Sequence, residues 1–459
     1  MNAWAQLIES HGGRPFVDDD EGRSFSYADA LSYGRALLAP VGDQRAFVVL
    51  LCSNAAPSIA AYLALLASDH AVLLVERDLA AERLTALLGL YSPDAVVDPL
   101  DETPVRRLRG GTELHPDLAL LLSTSGSTGS PKLARFTSSA IRANAASIAE
   151  YLNLTPDERP LLHLPTSYSY GMSVINSHLL VGAPLSVTAC SPMQPGFWDR
   201  LSAVEATSIA GVPFHYDMLR RFGTAKLELP HLRTLTQAGG KLAPSLVKLF
   251  GGWAQQTGRR FFVMYGQTEA GPRISYLPPE RAAEAPESVG IAIPGVELSL
   301  LDDAGQPIEE AGVAGELVCR SPAIMMGYAL SASDLSRGDE QCGLLRTGDV
   351  AQRSEDGLIT IVGRSARMVK LYGVRVNLDD VDALLLSRGY RAAAFGGDDQ
   401  LKIAVEGADP KVVRALIIES FSFPPRGFDV RSLPAIPRAA SGKVLYADIA
   451  RHWDDGLAA

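Results

Sequence analysis

Short apolar runs rich in β-branched residues alternate with helix-length segments from Met1 to about Gly363. The run from Ala46 to Leu51, followed by the segment from Pro57 to Leu66, is one example. This alternation favours a layered α/β fold. Around 316–319 and 358–362 the chain becomes rich in strands and turns, which predicts a small β region that closes the large domain. We therefore predict that residues 1–363 form one large α/β domain.

The remaining residues, 364–459, have the pattern of a compact α+β domain. Residues 378–386 and 410–421 have helical periodicity. Residues 392–395 and 401–406 are typical of two strands of a hairpin, with a Gly- and Asp-rich turn between them. The sequence thus predicts a second, smaller domain after a boundary at Gly363.

Composition limits the class of partner. The 459 residues carry a formal net charge of -10, and 47% of them are hydrophobic. An acidic protein of this kind is a poor match for nucleic acid or an anionic membrane, so we expect small-molecule partners. The four cysteines form no CxxC pair, the apolar runs are too short or too interrupted to span a bilayer, and the N-terminus lacks a signal-peptide pattern. We therefore expect a cytoplasmic protein with free thiols.

The segment from Ser123 to Lys132 reads STSGSTGSPK and directly follows an apolar strand. Its glycines and hydroxyl groups allow several backbone N–H groups to face one polyanion, so the segment suits phosphate binding. A Walker loop is excluded because Pro131 precedes Lys132 and Leu133 follows it. The alternative is a flexible surface turn.

This loop resembles the phosphate loop of the adenylate-forming superfamily, which includes acyl-CoA synthetases, aryl acid ligases, peptide synthetase adenylation domains and luciferase. Four further segments resemble superfamily motifs in the same order along the chain. They are YGQTE at 265–269, LRTGD at 345–349, GRSARMVKLYGVR at 363–375 and PRAASGK at 437–443. The resemblance covers essentially the whole chain and implies an enzyme that uses ATP and Mg²⁺ and has a mobile C-terminal domain.

The resemblance also implies which residues bind the nucleotide. Tyr265 would stack on adenine, and Asp349 would accept hydrogen bonds from the ribose hydroxyls with support from Arg364. Taken alone, Tyr265 would be a core aromatic residue and Asp349 with Arg364 a surface ion pair. Residues 238–240 would be an ordinary tight turn. The full set of expected ATP or AMP ligands is Thr124, Ser125, Gly126, Ser127, Thr128, Gly129, Lys132, Gly239, Gly240, Tyr265, Gly266, Gln267, Asp349 and Arg364.

Catalysis is assigned by the same resemblance to Lys443, Thr268 and Glu269, with Glu269 as the magnesium ligand. A carboxylate is an oxygen ligand of the kind that Mg²⁺ prefers beside phosphates. Lys443 would place a cation between the acid and the α-phosphate, where negative charge concentrates. The acid needs no general base, because a carboxylate is already ionised near neutral pH. Taken singly, Lys443 is an exposed lysine and Glu269 a solvated loop charge.

The expected acid pocket involves Tyr168, Tyr170, Val212, His215 and Gly240. No acidic residue lies between positions 163 and 180 to neutralise an α-ammonium, although Asp217 remains open as a counterion. His215 is either a pocket residue or a packed histidine. We predict a small aryl, branched or hydroxylated acid as substrate.

The acceptor is expected to be the thiol of CoA or of phosphopantetheine, with a free-standing acyl carrier protein as a candidate partner. By resemblance, Gly373 and Arg375 would line the thiol tunnel. The alternatives are capture of the acyl-AMP by an amine, a luciferase-like oxidation, and an inactive nucleotide-binding subunit. One departure from the superfamily pattern is Ala366, where many members have an acidic residue or lysine at the hinge; Arg367 is the adjacent candidate to replace it.

Overall fold

The computed structural model describes residues 2–124, 132–227, 229–302, 304–364, 367–371, 374–397, 400–421, 428–438 and 444–455. The predicted fold class is confirmed: a large α/β portion with a small β region precedes a C-terminal α+β portion.

The described strands, in chain order, are β1 Pro15–Asp18, β2 Ser24–Ser26, β3 Phe47–Cys52, β4 Ala71–Glu76, β5 Ala95–Val97, β6 Val105–Arg107, β7 Leu118–Ser123, β8 Leu133–Thr137, β9 Pro160–Leu162, β10 Leu185–Val187, β11 Ser208–Gly211, β12 Thr234–Gln237, β13 Arg260–Tyr265, β14 Ser275–Leu277, β15 Ile291–Ala292, β16 Glu297–Leu301, β17 Gly315–Arg320, β18 Gly327–Ala329, β19 Leu344–Arg353, β20 Ile359–Arg364, β21 Met368–Leu371, β22 Val374–Asn377, β23 Ala392–Gly397, β24 Gln400–Glu406 and β25 Phe428–Leu433. The described α-helices are α1 Ala3–His11, α2 Tyr27–Leu38, α3 Ala56–Leu66, α4 Ala81–Tyr91, α5 Ser138–Tyr151, α6 Ser169–Val181, α7 Pro195–Ala203, α8 Pro213–Phe222, α9 Pro244–Gln256, α10 Leu378–Ser387, α11 Pro410–Phe421 and α12 Tyr446–Asp455. Short 3₁₀ turns occupy 224–227, 268–270, 279–281 and 332–336.

Two large sheets share one core. The first has the strand order β18-β8-β7-β4-β3-β5-β6 and the second the order β15-β14-β13-β12-β11-β9-β10-β1-β2. Helix α3 is buried along its whole length, and α6 is buried from Ser169 to Leu179. A helix that is buried on all sides belongs between other layers. Side chains of α3, α5 and α6 accordingly pack in the same apolar cluster as side chains of both sheets.

The second sheet brings three loops to one edge. Strands β11, β12 and β13 are parallel neighbours in direct register. Their carboxyl ends therefore lie side by side, and the segments that follow them begin at Val212, Ala238 and Gly266. This is the edge at which open α/β sheets bind ligands.

The small β region is an antiparallel sheet with the order β16-β17-β19-β20. The predicted strands around 316–319 and 358–362 lie within β17 and β20. Antiparallel pairing of β19 with β20 sets Asp349 directly opposite Arg364. The LRTGD segment lies within β19. Gly348 takes a left-handed conformation with φ of 69° just before Asp349.

The C-terminal portion has its own apolar core. The predicted hairpin is present, because β23 and β24 are antiparallel, and β25 adds to β24 in parallel. Helices α10 and α11 pack on this sheet. Strand β20 ends at Arg364 and β21 begins at Met368, and the domain boundary at residue 363 remains a prediction. In the described part of the chain, no helix is long and apolar enough to cross a membrane.

Candidate functional site

Asp349 is the centre of a polar cluster between the second large sheet and the small β region. Its side chain is 2% exposed, whereas that of Arg364 is 60% exposed. Nε of Arg364 donates to Oδ1 of Asp349 at 2.9 Å. The pair therefore lies at a surface opening, with the carboxylate inside and the guanidinium outside.

Two residues of the YGQTE segment reach the same carboxylate from β13. The Tyr265 hydroxyl donates to Oδ2 of Asp349 at 2.5 Å, and Nε2 of Gln267 donates to the same oxygen at 2.8 Å. Gln267 also donates to the backbone oxygen of Thr347 at 2.9 Å. Burial raises the pKa of Tyr265, and the charge of Asp349 raises it further. The tyrosine is therefore a neutral donor. Tyr265, expected at the adenine, and Asp349, expected at the ribose, thus belong to one hydrogen-bonded group.

Glu269 and Lys132 meet at Tyr328, which the sequence reasoning did not single out. The Tyr328 hydroxyl donates to Oε1 of Glu269 at 2.5 Å. Nζ of Lys132 lies 4.0 Å from the centre of the Tyr328 ring, as in a cation–π contact. Tyr328 belongs to β18, which pairs with β8 next to the phosphate segment. The strand pairing thus joins the predicted metal ligand to the predicted phosphate-binding lysine.

The phosphate segment is described only at its two ends. The Thr124 backbone N–H donates to the Lys132 backbone oxygen at 3.3 Å. The two ends of the segment therefore lie side by side. The predicted ligands Ser125, Gly126, Ser127, Thr128 and Gly129 lie outside the described residues.

Tyr168, expected in the acid pocket, and Gly239, expected at the nucleotide, lie close together. Gly239 has φ of 82°, and a Cβ there would collide with the Tyr168 hydroxyl and lie 3.3 Å from a methyl of Val212. At Gly240, a Cβ would lie 3.2 Å from the Pro213 ring. Only glycine fits this turn at position 239. The turn can therefore approach Tyr168 and Val212 closely.

Tyr170 lies deeper than Tyr168. It is 2% exposed, and its hydroxyl is 2.8 Å from the hydroxyl of Thr236. The rings of Tyr168 and Tyr170 are 6.3 Å apart, at an angle of 64°. Tyr170 therefore offers its ring, rather than an unpaired hydroxyl, to this region.

His215 has a histidine partner. Its Nδ1 is 3.2 Å from Nε2 of His163, which precedes the Tyr168 segment. Burial lowers the pKa of His163 to about 3, with a contribution from His215, and burial lowers the pKa of His215 to about 4. Both rings are therefore neutral near pH 7. His215 therefore packs against His163 from the first turn of α8, and its role in the acid pocket remains a prediction.

Asp217 does not face this region. Its carboxylate pairs with Arg220 at 3.1 Å and with Arg221 at 2.9 Å on the surface of α8. These two arginines already balance its charge. Asp217 is therefore not a counterion for an α-ammonium.

One hydrogen bond joins the segment expected to bind the acid to the loop expected to bind the nucleotide and metal. The hydroxyl of Ser169, the first residue of α6, is 3.1 Å from the hydroxyl of Thr268. Thr268 directly precedes Glu269 in a short 3₁₀ turn. A Cβ at Gly266 would collide with the backbone oxygen of Pro272, so a glycine is required where this loop turns back on itself.

The residues expected in the mobile domain are only partly described. Lys443, Gly373 and Ala366 lie outside the described residues, and Arg375 is described as part of β22, opposite Lys370. Arg367 is tied to α10 by ion pairs of 2.5 Å with Asp379 and with Asp382. Its guanidinium also lies 4.5 Å from the centre of the Tyr446 ring. Arg367 thus connects the start of β21 to α10 and α12.

Glu269 fits a magnesium ion that is held mainly by phosphates. Mg²⁺ commonly takes one or two carboxylates and completes its shell with phosphate oxygens and waters. Among the described residues, the hydrogen bond of Glu269 uses only Oε1, and no group of three or more His, Cys, Asp or Glu side chains is arranged to hold a metal. A single carboxylate beside a phosphate segment suits such an ion.

Comparisons with known proteins identify the family of the chain. The family described as AMP-binding enzyme matches residues 4–329. An oxalate–CoA ligase of Arabidopsis thaliana is 28% identical over 446 residues, covering 88% of this chain and 85% of that protein. An L-proline–[L-prolyl-carrier protein] ligase of Streptomyces coelicolor is 28% identical over 374 residues, covering 75% of this chain and 66% of that protein.

The fold is also that of a solved structure. O-succinylbenzoate coenzyme A synthetase from Bacillus subtilis, in complex with AMP, superposes with a TM-score of 0.79 and 20% sequence identity, covering 97% of each chain. The match spans both the large and the C-terminal portions. The chain therefore belongs to the AMP-binding enzyme family, the adenylate-forming superfamily that its motifs resemble.

Proposed function

We propose that this protein activates a small carboxylic acid that lacks an α-ammonium group as its acyl-AMP, and then transfers the acyl group to a thiol. The first step joins the acid to the α-phosphate of ATP and releases pyrophosphate. The second step gives a thioester and AMP.

The hydrogen bond between Ser169 and Thr268 carries this proposal. It connects the first residue of α6, directly after Tyr168, to the loop that holds Glu269. An acid bound beside Tyr168 therefore lies next to the proposed phosphate and metal ligands. Catalysis then consists mainly of holding two anions in line, a contribution that can exceed several kcal/mol in such reactions.

The Asp349 cluster supports a ribose role. The carboxylate has about four acceptor directions, of which the described side chains use three. The remaining direction and the exposed Arg364 are suited to a ribose diol at the opening. The ring face of Tyr265 is suited to adenine, since its hydroxyl is already engaged.

Glu269 would hold Mg²⁺ together with phosphate oxygens, and Lys132 would assist at the phosphates. The bound metal would draw charge from the phosphates and pyrophosphate. Lys443 would supply the second cation at the reacting carboxylate, so Thr268, Glu269 and Lys443 form the proposed catalytic set.

The acid proposal rests on charge. His163 after β9 and His215 in the first turn of α8 are both neutral, and Asp217 is paired on the surface of α8. A free ammonium would lie here without a carboxylate partner, which is costly in a site that excludes water. The relatives named above act on acids as different as oxalate and proline, so they do not select one acid.

For the acceptor, we propose CoA or a carrier-bound phosphopantetheine, which share the same reactive arm. Gly373 and Arg375 would border its path in the thiol-forming state. An amine acceptor is the alternative, because both routes begin with the same acyl-AMP.

Pyrophosphate release tests the first step. We expect release with ATP, Mg²⁺ and small acids, and much weaker release with the α-amino acids of the same skeleton. Isobutyrate against 2-aminoisobutyrate is one such pair. Robust release with amino acids and none with their deaminated analogues would contradict the proposal. With the best acid, CoA, pantetheine and a panel of amines then compete for the acyl group, and mass spectrometry distinguishes thioester from amide.

A further inference from the structure

Arg273 is a buried cation that lacks a carboxylate partner in the described part of the chain. The residue is 3% exposed, and its Nε has no hydrogen-bond partner. Its guanidinium carbon lies 4.1 Å from the centre of the Tyr170 ring. Arginine stays protonated in proteins, and a buried charge is costly unless it is paired. A cation–π contact offsets only part of that cost.

The position of Arg273 links it to the proposed acid pocket. Burial raises the pKa of Tyr168 and of Tyr170, and the positive charge of Arg273 works against that shift in both. The guanidinium is therefore close enough to influence both tyrosines of the acid segment. Of these two tyrosines, the deeper Tyr170 has the direct contact with the guanidinium.

A small cavity borders the same guanidinium. It has a volume of about 20 Å³ and lies between α6 and strands β9, β11 and β12, with Val174, Ala210, Thr234, Thr236 and Arg273 in its wall. A cavity of this size holds about one water molecule. One carboxylate oxygen is of similar size to a water molecule and fits the same space.

The nearby acidic group is already neutralised. Glu158 also lines the cavity, but its carboxylate accepts a hydrogen bond of 2.5 Å from Thr207 and pairs with Arg233 at 3.3 Å. It forms no ion pair with Arg273. The hydroxyl of Tyr151 is in hydrogen-bond contact with Arg273 and supplies a neutral partner only.

We propose that Arg273 is the counterion for a second anionic group on the substrate, so that the preferred acid is a short dicarboxylic acid. One carboxylate lies at the adenylation centre and is converted to the mixed anhydride. The other lies on the guanidinium of Arg273 and is not activated. This inference rests on the proposed function and specifies its substrate class. A dicarboxylate pairs the buried cation, whereas a monoacid of the same length leaves it unpaired.

The test compares acids that differ only in the distal group: succinate, monomethyl succinate and butanoate, and likewise glutarate, monomethyl glutarate and pentanoate. For the wild-type enzyme, we expect kcat/KM for pyrophosphate release to be at least about a hundredfold higher for the preferred diacid than for its monoester. Arg273→Met should reduce this ratio to near or below one and leave KM for ATP unchanged. Arg273→Lys should keep part of the preference. Arg259→Met is the matched control, because Arg259 is also an arginine with a cation–π contact, to Trp253 at 5.3 Å, and its hydrogen bonds go to Leu229 and Leu232 outside this cavity. It should keep the wild-type ratio.

Thermal stabilisation of wild type by each acid without ATP gives a second readout. A larger shift with diacids that disappears in Arg273→Met supports the proposal. If Arg273→Met does not fold, the preference for diacids in wild type and the smaller preference expected in Arg273→Lys test the proposal instead. Efficient use of monoacids with no preference for diacids, or an unchanged preference in Arg273→Met, overturns the inference while leaving the proposed function intact. If no acid of any class supports pyrophosphate release, the proposed function fails first.

Discussion

The hydroxyl of Tyr328 donates to Oε1 of Glu269 at 2.5 Å, although the two residues are 59 positions apart in the chain. The same ring contacts the ammonium group of Lys132. One tyrosine therefore orients the proposed metal ligand and lies against the proposed phosphate-binding lysine. Its ring and its hydroxyl can be tested separately.

Tyr328→Phe should weaken adenylation mainly through magnesium. The variant keeps the ring under Lys132 but lets the Glu269 carboxylate turn, since a hydrogen bond to a charged group contributes about 1.5 to 3 kcal/mol. We expect the magnesium concentration needed for half-maximal pyrophosphate release to rise by about tenfold or more. Tyr62→Phe is the control, because it also removes a buried tyrosine hydrogen bond, to Asn176, far from this loop in the sequence. An equal magnesium requirement in Tyr328→Phe and wild type would show that Tyr328 does not position Glu269.

Asp349→Ala should impair use of ATP while leaving the fold intact. It removes the acceptor shared by Tyr265, Gln267 and Arg364, and the ribose would lose an interaction of about 1.5 to 3 kcal/mol, or about 10- to 150-fold in affinity. Isothermal titration with ATP and steady-state adenylation measure this loss. Glu316→Gln breaks another carboxylate–arginine pair in the same small sheet, with Arg346, and should change neither quantity. Wild-type nucleotide affinity in folded Asp349→Ala would exclude the ribose role.

Much of the fold was predictable because it depends on local pattern. The apolar runs that became β3 and β7, the strands β17 and β20 and the hairpin of β23 and β24 all follow from period and turn composition. The candidate nucleotide residues were named from short motifs that fix both residue type and spacing, and their roles remain predictions.

Contacts between distant segments were not predictable from those signals. Tyr328 reaches Glu269 only because β18 joins the edge of the first sheet, and strand pairing of that kind leaves no local signature. His163 was visible in the acid segment, but its pairing with His215 depends on the neighbouring ends of β9 and β11. The surface ion pairs of Asp217 and the burial of Arg273 likewise depend on tertiary contacts that sequence periodicity does not determine.

The histidine pair predicts how stability changes with acidity. Burial holds the pKa of His163 near 3, below the ordinary value of 6.5, so the unfolded chain binds more protons between these values. Stability should therefore fall as pH decreases below 6.5, by about 2 kcal/mol at pH 5 for this residue. His163→Gln should remove this part of the pH dependence in denaturant titrations at pH 7 and pH 5. Phe16→Leu removes a fully buried ring that packs on Tyr27 and leaves both histidines, so it should lower stability while preserving the wild-type pH dependence. Identical pH dependence in wild type and His163→Gln would contradict the assignment.

The final prediction separates the two half-reactions. If Lys443 acts only where the carboxylate meets the α-phosphate, Lys443→Ala should lose about a hundredfold or more in adenylation, since a cation aimed at developing charge contributes about 3 kcal/mol or more. Thioester formation from chemically supplied acyl-AMP should change far less, because a rotated C-terminal domain would present the Gly373 loop to the thiol instead. Lys411→Ala, at an exposed position of α11 in the C-terminal portion, is the matched control and should leave both steps unchanged. Equal loss of both half-reactions in Lys443→Ala, with unchanged circular dichroism and melting, would contradict this division of labour, because one lysine would then serve both chemical steps from a single arrangement.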